Sequence, residues 1–343
     1  MNTSRCPARL NRPSCPSGQR GAALLMAMVI VTLVATFSAS MVWQQWRAVQ
    51  IEAAERVRSQ SEWVLIGALD WARLILKEDK RNGGPDHLGE PWAIPLAEAR
   101  LSSFLATDKD NSDDAPEAFL SGKVEDVTAR YNLRNIINDQ LDLVPEELAV
   151  LKRLCEFSGL PGALADTLAQ AYRKAFLAAQ GDDPAVLAKL GGPAQRAAAP
   201  LLPQSMDQLT WLGLDAGTVE KLRPYLTLLP DRTQVNVNTA PKEVIASVIE
   251  GFDLARAARL VQARQRNAFK APDEVQTLLG VQNLNLTRVT VASDFFEVRG
   301  RLRYEDNVIE QRHVVQRVGT DMQVRSRVRF AGVDRLNEGS PQP

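Results

Sequence analysis

Gln19-Arg20-Gly21-Ala22-Ala23-Leu24 is where a basic leader meets an apolar run, and that run decides the fold. Ala22–Trp46 (AALLMAMVIVTLVATFSASMVWQQW) holds 25 residues without a charge, rich in Leu, Val, Ile, Met and Ala up to Val42. At ~1.5 Å per helical residue this is enough to span a hydrocarbon core of ~30 Å. A secretory signal has a shorter apolar core, about 7–15 residues, followed by a small-residue cleavage site. Trp43 and Trp46 stand where an interfacial aromatic belt would stand, with Arg47 just beyond. Arg5, Arg9, Arg12 and Arg20 precede the span and no arginine lies inside it, which puts the N-terminus in the cytoplasm.

Working outward, the helix is expected to continue to about Arg81. Leu65, Leu69, Ala72 and Leu76 recur at helical spacing, as do Val64, Ala68, Trp71 and Ile75, and Asn82-Gly83-Gly84-Pro85 ends the pattern. Two apolar stripes predict packing against a sheet, and the heptads a coiled coil needs are not kept. Residues 82–122 read as loop, with Pro85, Pro91, Pro95 and an acidic run of Asp108, Asp110, Asp113 and Asp114. Lys123–Leu133 reads as a strand. From Asn135 to about Leu286 the chain is helical, broken at Gly181-Asp182-Asp183-Pro184 and Gly191-Gly192-Pro193.

The C-terminal part returns to strands. In Phe296–Tyr304 the apolar Phe296, Val298, Leu302 and Tyr304 alternate with Glu297, Arg299, Arg301 and Arg303, and Gly300 falls on the apolar face. Glu305-Asp306-Asn307 predicts a turn into Val308–Val318, and Gln323–Phe330 repeats the alternation with Val324 and Val328 against Arg325, Arg327 and Arg329. One early strand and three late ones, split by a helical block, predict an α+β chain: one antiparallel sheet with a large all-α domain inserted into it. Inside the block, Gly159, Gly213, Gly251 and Gly280 each sit before an apolar residue between helical runs, like helix-hairpin-helix or SAM-like units. Before the third stands Val235-Asn236-Val237-Asn238-Thr239-Ala240-Pro241-Lys242-Glu243-Val244, in which Thr239 is expected to cap the next helix.

Composition narrows the function. Lys plus Arg and Asp plus Glu are 41 each, and with the four leader arginines set aside the remainder is slightly acidic. Residues 135–286 carry 15 basic and 17 acidic side chains with no basic stripe, which argues against nucleic acid. Arg299, Arg301 and Arg303 belong instead to a mildly basic C-terminal sheet, read as a solvated or partner-facing surface. Cys6 and Cys15 lie in the leader, so Cys155 can form no intrachain disulfide within the body and reads as a small core residue. The two histidines, His87 and His313, are far apart, and there is no Walker loop, HExxH, GxSxG or paired-cysteine metal motif.

The Gly21–Ala22 junction resembles the class III prepilin signal, which implies cleavage between those two residues by prepilin peptidase with the helix left in place. VNVNTAPKEV at 235–244, VEDVTARYNLRNI at 124–136 and SDFFEVRGRLR at 293–303 are similar to the type II secretion minor pseudopilin K family. Most pilins carry Glu at the fifth mature position; Met26 stands there, as in this family. The resemblance implies a non-enzymatic tip subunit of the periplasmic pseudopilus that works with minor pseudopilins I and J to start and cap the fibre. It implies a single-pass inner-membrane protein with a periplasmic C-terminal domain and a methylated mature N-terminus.

The implied divisions are a leader at 1–21, a span at 22–46, a pilin-like domain at 47–134 and 287–335, an insert at 135–286 and a disordered tail at 336–343. It also implies calcium, for which Asp108, Asp110, Asp113 and Asp114 are the candidate ligands; oxygen donors at this spacing suit Ca²⁺, though the pattern is not an EF-hand. A solvated acidic loop is the other reading of those residues. A membrane-tethered helix-hairpin-helix DNA receptor is the alternative function.

Overall fold

The computed structural model describes residues 20–101, 118–281, 283–304 and 307–333. The first helix, α1, runs without a break over Arg20–Asn82. The chain divides into two units, one up to Trp63 and one from Val64 onward.

In the first unit every residue from Ala22 to Arg56 is exposed, including Leu24, Val29, Phe37 and Val42. Among the described residues α1 is the one helix long and apolar enough to cross a membrane. Its threonines do not leave polar groups bare: Thr32 Oγ1 donates to Val29 O and Thr36 Oγ1 to Leu33 O, each at 2.9 Å. Trp43 and Trp46 stack at 5.3 Å.

In the second unit the remainder of α1 lies on a five-stranded antiparallel sheet. The strands are β1 Leu96–Arg100, β2 Ala118–Asp126, β7 Phe295–Tyr304, β8 Asn307–Val318 and β9 Asp321–Val333, paired in that order. Leu65, Leu69, Ala72 and Leu76 are buried there, against Leu120, Phe296, Val298, Leu302, Val315 and Met322. Each of the leucines contributes ~1.5–3 kcal/mol by leaving water. The second predicted stripe is only half used, for Val64, Ala68 and Ile75 are partly buried while Trp71 is exposed. Gly300 lets the helix close on the sheet, since a Cβ there would stand 3.0 Å from Leu65 Cδ2.

Four sequence expectations need correction. The strand expected at Lys123–Leu133 begins at Ala118 and ends at Asp126, where the side chain of Asp126 accepts from Thr128 N and turns the chain out of the sheet. Residues 82–122 are not all loop: β1 forms an edge strand, so two early strands join three late ones. Thr239 does not cap the next helix, because its hydroxyl is used elsewhere. In β9 the Val324–Val328 alternation does not stay on one face. A bulge opposite Val314 and Val315 shifts the register, so Val324 pairs with Val315 but Val328 pairs with Arg312. The predicted turn at Glu305-Asp306 and the acidic run from Asp108 to Asp114 lie outside the described residues.

Between β2 and β7 the chain makes the helical block: α2 Pro145–Phe157, α3 Ala163–Ala179, α4 Pro184–Leu190, α5 Pro193–Ala197, α6 Ala216–Leu222, α7 Lys242–Val248, α8 Leu254–Arg266 and α9 Glu274–Leu279. Two-residue parallel pairings stitch it together. β3 Tyr131–Asn132 meets β4 Leu226–Thr227, and β5 Val235–Asn236 meets β6 Val289–Thr290. One core fills the block, with Leu151, Leu154, Leu168, Ile245, Leu260 and Cys155 fully buried. Burial pushes the Cys155 thiol up to about 11, consistent with a packing role. The four glycines of the repeated pattern all have positive φ, and Leu160, Leu214 and Phe252 after three of them are buried. Gly213 and Gly280 are helix C-caps in the left-handed conformation, and Gly159 directly follows the C-cap Ser158, whereas Gly251 lies in the turn beyond the extended C-cap Ile249.

Candidate functional site: the junction between sheet and helical block

Asp126 and Phe296 are register partners at the ends of β2 and β7, so the whole block is the connection of one antiparallel hairpin. A buried polar network closes that neck. Asp126 Oδ1 accepts from Thr128 N at 2.7 Å and Thr128 Oγ1 at 2.6 Å. Its Oδ2 accepts from Thr239 Oγ1 at 2.5 Å and Ser293 Oγ at 2.6 Å. Ser293 gives its one hydroxyl proton to Asp126, so its oxygen accepts from Asn236 Nδ2 at 2.8 Å. Asn236 Nδ2 also donates to Asp86 O at 2.9 Å. Asp86 Oδ2 accepts from Ser293 N at 2.7 Å and is gripped by Arg317 Nη1. Arg317 then reaches Asp79 at 2.9 Å and lies over the Phe296 ring at 4.8 Å.

Every member of this chain of bonds is buried or nearly so, and they come from five separate segments. Burial pushes the Asp126 carboxyl above its ordinary value, because its donors are neutral and compensate only in part. Burial, and then Glu90, raise Asp79 likewise. The hydroxyls of Thr128, Thr239 and Ser293 are all spent on the Asp126 carboxylate; what the arrangement does is hold these segments together. Apart from Arg317 Nε, which has no partner among the described residues, the donors and acceptors of this network are matched, and it fixes one geometry because any displacement strands polar groups away from water.

Asp79, Asp86 and Glu90 are near enough to share a cation. They do not fit one. Arg317 already neutralises Asp79 and Asp86, and Glu90 Oε2 accepts from His87 N and Trp92 Nε1. Among the sequence-derived candidates, Gly21 and Ala22 sit in the first turn of α1, in the first unit. His313 is buried, bonded to Gln311, and held below its ordinary value by burial and Arg327. Sequence reasoning quoted Asp126 and Ser293 without assigning either a role and passed over Asp86 and Arg317. A signal was present: Asp126 shares a strand face with Leu120 and Val124, and Arg317 shares one with Val315.

The segment VNVNTA, which supplies Asn236 and Thr239, opens the match to a family profile. That profile, described as type II secretion system protein K, matches residues 235–299, and a second of the same description matches residues 129–231. The chain belongs to the type II secretion system protein K family. Curated members resemble it along nearly their full length. One from Pseudomonas aeruginosa is 28% identical, covering 92% of this chain and 93% of its own. One from Pectobacterium carotovorum is 26% identical, covering 94% and 99%. One from Klebsiella pneumoniae is 28% identical, covering 88% and 93%. The protein K fold is also found in the crystal structure of the GspK-GspI-GspJ complex from enterotoxigenic Escherichia coli. It matches at a TM-score of 0.57 and 19% identity, over 80% of this chain and 99% of that one. As a protein K, this chain is a minor pseudopilin of the type II secretion system with an N-terminal apolar helix fit to be its single membrane anchor.

Proposed function

We propose that the chain is a non-enzymatic subunit at the tip of the periplasmic pseudopilus, assembled with minor pseudopilins I and J, that starts and caps the fibre. The observation that supports this most is the neck. A helical block carried as one hairpin connection and pinned by Asp126, Asn236, Thr239 and Ser293 is bulk that cannot swing aside. A subunit bearing it would obstruct another stacked above. Met26 in place of the usual Glu agrees, since a subunit with nothing above it has no incoming amine to receive.

In this reading prepilin peptidase cuts between Gly21 and Ala22, the new N-terminus is methylated, the leader side is cytoplasmic and the second unit is periplasmic. The helical block comprises SAM-like units that recognise protein rather than nucleic acid. Calcium, where the family resemblance brings it in, belongs to the Asp108–Asp114 run. Asp108→Asn with Asp110→Asn should then abolish terbium luminescence, and unchanged emission would remove the assignment.

The direct test of the tip role is gold labelling of a C-terminal tag on pseudopili assembled in cells. Label at fibre ends supports the reading, and label spaced along the shaft overturns it. Removing residues 127–294 and rejoining the hairpin at Asp126 and Phe295 should preserve membrane insertion but admit the subunit into the shaft.

A further inference from the structure

The second half of VNVNTA builds a different feature. Asn238 is buried, and its side chain clasps Phe269 through two bonds, Nδ2 to Phe269 O and Phe269 N to Oδ1, each 2.9 Å. That pins the loop leaving α8. Arg264, in the last turn of α8, donates through Nη1 to Val237 O at 2.5 Å and Ala240 O at 2.6 Å. Its Nε and Nη2 donors make no hydrogen bond among the described residues, and no carboxylate pairs with it. Burial alone pushes its guanidinium down to about 10. Arg153 is a useful contrast: it too donates to a backbone carbonyl, but Glu250 and Glu156 lie near enough to favour its charge.

Arg264 borders a cavity of about 420 Å³ whose lining includes His87, Asn238, Arg266 and Asn267 and no acidic residue. His87 Nδ1 accepts from Gly89 N at 3.1 Å, so the neutral ring carries its proton on Nε2. Arg266 is exposed and makes no ion pair among the described residues. Arg264 and Arg266 suit the negative end of α8, which accounts for their position in the last turn. It does not account for a guanidinium fixed by two carbonyls on one nitrogen while the two-nitrogen edge, the one that matches a carboxylate, stays unused.

We propose that this cavity is a carboxylate-binding site that takes an acidic side chain or C-terminal carboxylate of a partner polypeptide. The amide side chains around it suit a peptide backbone, and the volume admits one such group rather than a folded surface. A phosphate dianion is a poorer occupant, because the carbonyl end of α8 opposes a second negative charge.

The test uses the full chain in detergent micelles and fluorescence anisotropy of a labelled hexapeptide, Gly-Gly-Ser-Glu-Asp-Glu with a free C-terminus. A Gln/Asn counterpart with an amidated end is the control, and inorganic phosphate and a single-stranded oligonucleotide are competitors. The acidic peptide should bind, the neutral one should not, and Arg264→Lys should weaken binding about five-fold or more by losing the fork. Arg266→Gln, at an exposed position outside the buried bonds, should weaken it in the same direction and serves if Arg264→Lys fails to fold. Equal binding of both peptides, or undiminished binding by Arg266→Gln, overturns the site. Phosphate or oligonucleotide displacing the peptide well below the peptide's own dissociation constant overturns the polypeptide as its occupant.

Discussion

Acid and base meet twice on this sheet. On the open face, Arg299 pairs with Glu125 at 3.1 Å and with Glu297, and Arg312 pairs with Glu310 at 2.6 Å, all with side chains partly in water. At the neck, Arg317 pairs with Asp79 and Asp86 while only 2% of its side chain is exposed. The residue types are the same and the physics is not. Surface pairs trade one hydration shell for another and gain little. The buried pair has no water to fall back on, so removing one partner strands the other. Sequence composition sees the two as alike; only burial separates the ladder that solvates the sheet from the clasp that mounts the helical block.

The largest expected difference comes from Arg317→Met, which leaves the buried Asp86 and the partly buried Asp79 carboxylates without their cation. It should cost ~3–5 kcal/mol, read as a fall in the urea midpoint. A loss below ~1 kcal/mol would mean the neck behaves like the surface.

Next comes pH. Because the folded Asp126 has its pKa raised above the ordinary 3.8, the native state holds its proton more tightly than the unfolded chain. Its contribution to stability therefore declines as pH rises from about 3.8 through the raised value and is flat above that. Asp126→Asn should remove that decline, and urea midpoints from acid to neutral pH would show it as a shallower slope. Parallel slopes for variant and parent would contradict the assignment.

The smallest effect is expected on the ladder. Arg299→Gln should change stability by ~0.2–1 kcal/mol, and added salt should shrink the difference further. A loss as large as that of Arg317→Met would erase the contrast between the two faces.

Much of the architecture was legible because it rests on periodicity. The apolar first part of α1, the end of α1 at Asn82 and the strands from Phe295 to Val333 all follow from where apolar residues recur. Strand β1 was not legible, since Leu-Ala-Glu-Ala-Arg at 96–100 is an edge strand with little to bury. Thr239 looked like a cap from its neighbours in sequence, but a residue distant in the chain, Asp126, claims its hydroxyl. The bulge in β9 is set by pairing with β8, so Val324 and Val328 could not disclose that they part company. The neck is the hardest kind of feature to read ahead: five segments supply it, and each contributes only one or two polar residues that are ordinary alone. Its trace is a charged residue on an apolar strand face, as at Asp126 and Arg317.

The central claim is that the neck makes the sheet and the helical block one mechanical piece. Native-state hydrogen exchange on the full chain in micelles, followed across rising denaturant, tests it by comparing Asp126→Ala with the parent. In the parent, amides of β2 and β7 and those of α2 and α3 should open together with one free energy. In Asp126→Ala, which strands the donors of Thr128, Thr239 and Ser293, the block should open at lower denaturant than the sheet. Separate opening already in the parent, or joint opening retained in the variant, would contradict the account.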